Sequence, residues 1–410
     1  MKKSLIALAA LSAIAGVAQA QSSVEVYGLI DQGYNKVESS GTTTTKTTTV
    51  GASVNSANGS GNLNGSRIGF RGTEDLGGGL KAGFVVEYGL NLTGAGTKDA
   101  TAASESVTGQ TLANLRQGYV SLSSNYGTLV AGTVYAFHDA SSGALGGAQA
   151  HGGTNNTYGA ANLFKYGVTG GSPRATNAIA YISPTFNGFT AKVAKHEGEQ
   201  LTTDAAGTKT NQAVSFALDY VGGPLKAGFA QTNYKDAVLS KTTVADVLGT
   251  ANDSSAVNGS NGNNDITNRV YGLSYDFKVA VVGLNHSDFK QETKLGTTTT
   301  TYAASSTSAN TATTVTGVTG TKLESSQNSL SASVPVTAAF TINAAYTNGS
   351  IDLANAKIYD TTGVDLIGVY ALSKRTNVYA LYTEVKFENK VAGGADTKQK
   401  HYGVGVRHSF

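Results

Sequence analysis

Past its first twenty residues, the chain is built on a period of two. In Val24-Glu25-Val26-Tyr27-Gly28-Leu29-Ile30-Asp31 one parity reads Val24, Val26, Gly28 and Ile30, while the other carries Glu25, Tyr27, Leu29 and Asp31. Near the end, Tyr402, Val404, Val406, His408 and Phe410 alternate with His401, Gly403, Gly405, Arg407 and Ser409. Neighbouring side chains of a strand point to opposite faces, so this alternation marks strands with one apolar and one polar face. Sixteen such runs can be traced, near residues 24–36, 65–74, 80–91, 114–123, 128–136, 176–184, 188–197, 212–221, 225–235, 268–277, 279–290, 326–334, 338–348, 363–372, 376–388 and 400–410. No segment after the first twenty residues holds 18 consecutive apolar residues, so no helical membrane span is expected. Parity alone does not say whether the apolar face turns inward, as in a water-soluble barrel, or outward to lipid.

Three features bear on that choice. Met1-Lys2-Lys3, an apolar run from Leu5 to Val17 and the ending Ala18-Gln19-Ala20 have the form of a secretory signal peptide. We expect residues 1–20 to be cleaved and 21–410 to form a single barrel. Charged residues make up only 14% of the chain, against about 25% in ordinary soluble domains, which suits a surface that does not face water. The connections also alternate in length. Short turns such as 75–79, 125–127, 185–187 and 373–375 follow one end of the strands, and long polar stretches at 37–64, 137–175, 236–267, 291–325 and 349–362 follow the other. That is the layout of an all-β, 16-stranded antiparallel transmembrane β-barrel with short periplasmic turns and long extracellular loops. Closure is a physical requirement there, because every backbone N–H and C=O in hydrocarbon needs an internal partner.

Other chemistries find little support. A net charge of +3 from 30 Lys+Arg and 27 Asp+Glu offers no basic surface for nucleic acid. The absence of cysteine excludes a disulfide scaffold, a thiolate metal site and a cysteine nucleophile. The six histidines lack metal-ligand spacing, and no G-x-S-x-G elbow, P-loop or dinucleotide fingerprint occurs. We therefore expect no enzyme, no metal and no cofactor. A secreted β-helix adhesin would explain the Thr, Asn and Gly richness, but should show many near-equal repeats of about 20 residues.

Several motifs, in order and spacing, resemble the general porins of Gram-negative bacteria, in particular the β-proteobacterial branch of Burkholderia- and Neisseria-like organisms. They are Ser23 to Asp31; Ser66-Arg67-Ile68-Gly69-Phe70-Arg71-Gly72-Thr73-Glu74-Asp75-Leu76-Gly77-Gly78-Gly79-Leu80-Lys81-Ala82; Arg116-Gln117-Gly118-Tyr119-Val120-Ser121-Leu122; Ser183 to Phe189; Tyr370 to Thr376; and Gly403-Val404-Gly405-Val406-Arg407-His408-Ser409-Phe410. The resemblance implies a homotrimer in the outer membrane, a third long loop folded into the lumen, and a terminal Phe410 read by the barrel-assembly machinery. Expected partners are outer-membrane lipid and lipopolysaccharide, and small hydrophilic solutes and anions passing by diffusion. A substrate-selective channel for anions or sugars on the same barrel is the alternative.

The resemblance also implies a ladder of basic side chains on the barrel wall, at Arg67, Arg71 and Arg116. Parity agrees for the first two, since Ile68 and Phe70 take the apolar face. Parity does not help for Arg116, which shares a face with Val120 and Leu122. These arginines could instead serve only to pair with strand carboxylates such as Glu87. Two departures from the family pattern stand out. Thr133 replaces the usual arginine of the fifth strand, and the third loop lacks the Pro-Glu-Phe-Gly element. Within 137–175 Asp139 is the single acid, beside His138, His151, Lys165 and Arg174. An acid-poor loop against a basic wall predicts modest anion preference and a somewhat wider pore. Tyr88, Tyr119 and Phe289 are candidate members of the aromatic girdles, with core packing as the other reading.

Overall fold

The computed structural model describes residues 23–40, 44–50, 63–90, 92, 112–137, 174–204, 207–238, 263–295, 298–302, 313–317, 322–391 and 394–410. Residues 1–20 and most of the third connection, 138–173, lie outside them, and with them His138, Asp139, His151 and Lys165.

In chain order the strands are β1 (Ser23–Ser40), β2 (Thr44–Val50), β3 (Arg67–Gly77), β4 (Leu80–Leu90), β5 (Leu112–Ser124), β6 (Gly127–Tyr135), β7 (Arg174–Ile182), β8 (Phe189–Asp204), β9 (Gly207–Gly222) and β10 (Leu225–Val238). They continue as β11 (Asn263–Asp276), β12 (Val281–Leu295), β13 (Thr298–Tyr302), β14 (Thr313–Gly317), β15 (Lys322–Pro335), β16 (Phe340–Leu353), β17 (Ala356–Ala371), β18 (Thr376–Asn389) and β19 (Thr397–Ser409). Sixteen of them close into one antiparallel barrel. β2 is a short strand hairpinned onto the upper half of β1, and β13 with β14 forms a separate ribbon. The ring closes where β1 pairs on one side with β3, Leu29 opposite Arg67, and on the other with β19, Leu29 opposite Ser409. Every wall strand is therefore hydrogen-bonded on both edges, as a lipid environment demands.

The sixteen alternating runs coincide with the sixteen wall strands, and the apolar parity faces out. Val120, Ile179, Leu330 and Leu366 are exposed, whereas the opposite parity holds buried polar groups such as Thr347, Asp365 and Thr383. Tyr271, Tyr346, Tyr370 and Tyr402 stand exposed on the outer face, and the rings of Tyr382 and Tyr402 lie 5.2 Å apart. Of the proposed girdle residues, Tyr88 pairs with the exposed Leu115 on the outer face. Tyr119 and Phe289 do not belong to it. Tyr119 pairs with Val85 on the inner face, and Phe289 is buried in a cluster with Tyr234, Ile266 and Leu323.

Two expectations need correction. Residues 349–362 are not a long loop. β16 and β17 run on through Gly349 opposite Thr361 to a tight turn at Ala354-Asn355, whose φ angles are 51° and 66°. Beyond the lipid the outer face no longer has to be apolar, so the alternation fades while the ladder continues, although Ile351 and Leu353 stay buried on the inner side. Nor is the inner face uniformly polar. Phe289, Leu323, Ile351, Val385 and Phe387 pack together on the inner parity of β12 to β18. Alternation reveals which side chains share a face; it does not reveal what covers that face.

Candidate pore constriction

Glu87, in the second half of β4, is the hub of the inner wall. Its side chain is only 5% exposed. The Tyr27 hydroxyl of β1 donates to Oε2 at 3.1 Å, and the Arg116 Nε donates to Oε1 at 2.8 Å. The Arg67 Nε lies 3.8 Å from Oε2. Gly69, directly opposite Glu87, leaves room for the Tyr27 ring to cross the wall, where a Cβ would strike the ring carbons. Two guanidinium groups thus share one carboxylate, and among the described residues the cluster carries one net positive charge.

A β-bulge settles the orientation of Arg116. Glu87 pairs with Gln117 and Tyr88 pairs with Leu115, so Arg116 is the extra residue between them. A bulge inserts one residue and re-aims a side chain, which turns Arg116 inward although its parity matches Val120 and Leu122. Its second bond, from Nη2, goes to the Tyr135 hydroxyl of β6 at 2.7 Å. Thr133, where the resemblance implied an arginine, stands opposite Gly118. The polar contribution of β6 to the cluster is Tyr135, two residues on.

Arg71 shares the parity of Arg67 and makes a two-pronged pair with Glu25, at 2.8 and 3.0 Å, with both side chains more than half exposed. Arg174 opens β7 opposite Tyr135. Among the inner charges that escaped the sequence reading are two cations, Lys192 and Arg407. Lys192 on β8 pairs with Asp219 on β9 at 2.6 Å, both mostly buried. Arg407 on β19 stands opposite Asp31; its parity with Gly403 and Gly405 was the available signal. Phe410 sits at the seam, where its backbone exchanges hydrogen bonds with Gly28 at 3.0 and 3.1 Å.

A closed barrel with a lipid-compatible outside and a charged inner wall defines a membrane channel. Comparison with known proteins gives the family. The Gram-negative porin model matches residues 7–390, and the chain belongs to that family. It is 30% identical to an outer membrane porin protein of Bordetella pertussis and 29% identical to the outer membrane porin protein 32 of Delftia acidovorans, each across the full length of both chains. Among solved structures, the anion-selective porin from Comamonas acidovorans superposes with a TM-score of 0.66 at 22% identity, covering 95% of this chain and 100% of that one. The chain is an outer-membrane porin.

Proposed function

We propose that this porin passes small hydrophilic solutes and ions by passive diffusion with a weak preference for anions, as a homotrimer. The supporting observation is the shared carboxylate. Arg67 and Arg116 both bear on Glu87, so that a permeating ion meets a net positive wall. The preference is weak because most inner cations have partners: Arg71 has Glu25 and Lys192 has Asp219. Charged rings on a pore wall sort ions by sign, and the name of the Comamonas porin describes an anion-selective channel. In this reading Arg67, Arg71 and Arg116 line the pore, with Glu87 limiting their field. Phe410, closing the seam, serves as the assembly signal.

Arg116→Ala tests the assignment by reversal potential in planar bilayers under a KCl gradient. Loss of one wall charge, acting with opposite sign on anion and cation through water and screened by salt, should lower the anion-to-cation permeability ratio about threefold, and conductance should change with it. If neither quantity moves in the folded variant, the constriction lies elsewhere. A wild-type preference for cations would refute the anion reading.

A further inference from the structure

The stretch immediately before β3 does not continue along the wall; it lies across the inside of the barrel. Asp31, fully buried on β1, accepts through Oδ2 from the backbone N–H groups of Leu63 at 3.1 Å and Asn64 at 2.8 Å. Its Oδ1 accepts from the Tyr379 hydroxyl of β18. Ser66 closes a second loop of bonds with Asp31, accepting from its backbone N–H at 3.0 Å and donating to its carbonyl at 3.1 Å. The Leu63 side chain is fully buried against Ile367, Tyr379 and Leu381 of the inner wall. Arg407 then donates through Nη1 to the Asn64 side chain at 2.7 Å, and with the Asn377 amide turned to accept, its Nε and Nη2 donate there at 3.2 and 3.0 Å.

Four residues are therefore fastened to β1, β17, β18 and β19 from the inside. Arg407 faces Asp31 and Arg67 faces Leu29, so the two arginines flank β1 at nearly the same height. The basic row of the constriction thus extends past Arg67 onto β19.

We propose that residues 63–66 form a fixed inner layer of the barrel wall, with Gly65 its half-exposed member beside the pore, held by Asp31 as a positioning residue, and that Arg407 is a selectivity-determining residue beside it. A mobile side chain contributes charge over a broad volume. Arg407 instead is tied at three nitrogens, so its charge has one location along the ion path. The inference rests on the channel reading above, but its test is separate.

The chain contains no cysteine, so a single introduced thiol reports without background. Gly65, half-buried between the two anchored residues, is replaced in Gly65→Cys and the folded channel is treated in the bilayer with an anionic sulfonatoethyl methanethiosulfonate or its cationic trimethylammonium counterpart. Each forms a mixed disulfide with the thiolate and releases methanesulfinate. The anionic adduct should lower the anion-to-cation ratio and the cationic adduct raise it, each about threefold for one charge near the path. Arg407→Gln should move the ratio toward cations as the anionic adduct does, and Arg407→Lys should restore most of it. No response to either reagent, in a channel whose selectivity still responds to Arg116→Ala, overturns the inner layer while leaving the constriction intact. A response at Gly65 with an unchanged ratio in Arg407→Gln overturns the role of Arg407.

Discussion

Replacing Glu87 by Gln separates the electrostatic role of the hub from its packing. The side chain keeps its shape and one carbonyl oxygen for the Tyr27 hydroxyl or the Arg116 Nε, but loses its charge. At 2.8 and 3.8 Å, the two arginine contacts correspond to about 6 and 4 kcal/mol of Coulomb attraction at an effective dielectric of about 20, and to between about 1 and 1.5 kcal/mol each in water. Most of that attraction is offset by desolvation. Breaking a buried pair from one side costs about 3–5 kcal/mol, and the water of the lumen places this site at or below the lower end. We expect Glu87→Gln to destabilise the barrel by about 2–3 kcal/mol. In the same variant the local charge rises from one positive to two, so the anion-to-cation permeability ratio should rise about threefold. The assay pairs urea unfolding in liposomes with reversal potentials under a KCl gradient, and the shift should shrink at high salt as screening shortens to about 3 Å at 1 M. A folded Glu87→Gln channel with unchanged or more cation-preferring permeation would refute the idea that the two arginines act on passing ions. The opposite sign expected for Arg116→Ala makes the two variants a matched pair.

Two further substitutions test the architecture. Leu366→Arg places a charge on the outward parity of β17, where Leu366 is exposed beside Val364; unfolding in liposomes should show a loss of about 2–4 kcal/mol if the site lies near the bilayer midplane, and a neutral result would put that face away from lipid. Gly28→Ala puts a Cβ into the Phe410 ring and the Arg67 carbonyl; the overpacked seam should lose about 1–3 kcal/mol, read from the same unfolding assay, and an unchanged midpoint would mean that both the Phe410 ring and the Arg67 backbone give way without cost.

The wall was legible in the sequence because lipid enforces a strict rule on one face. Val404, Val406 and their counterparts put apolar residues at most alternate positions along the wall, so sixteen runs could be traced, although His286 and Asn328 interrupt that face. Above the lipid that rule lapses, and Gly349 opposite Thr361 gave no sign that β16 and β17 continue to their turn. Arg67 and Arg71 were readable by parity, whereas Arg116 was not, since a one-residue bulge inverted its facing and only the pairing of Glu87 with Gln117 exposes it. The Asp31 anchor was hidden for a different reason. Its partners Leu63, Asn64 and Tyr379 are scattered over the chain, and a carboxylate at the polar parity of a strand looks the same whether it meets water or a buried backbone.

The seam between β1 and β19 also sets the order of events in folding. The Asn35 side chain on β1 meets His401 on β19 over a sequence separation of 366 residues. Each of the other strand pairings joins neighbours in the wall order through a turn or loop, but this one cannot begin until β19 has been made. Non-local pairings of this kind are slow because loop closure must precede any stabilising contact. Throughout that interval the seam edge of β1 offers unpaired N–H and C=O groups to any other extended chain. The polar fastenings along the seam, Asp31 to Tyr379 and Asn35 to His401, reward only the correct partner. A stalled chain should therefore fail at this edge first, as an open sheet with its strands already in register.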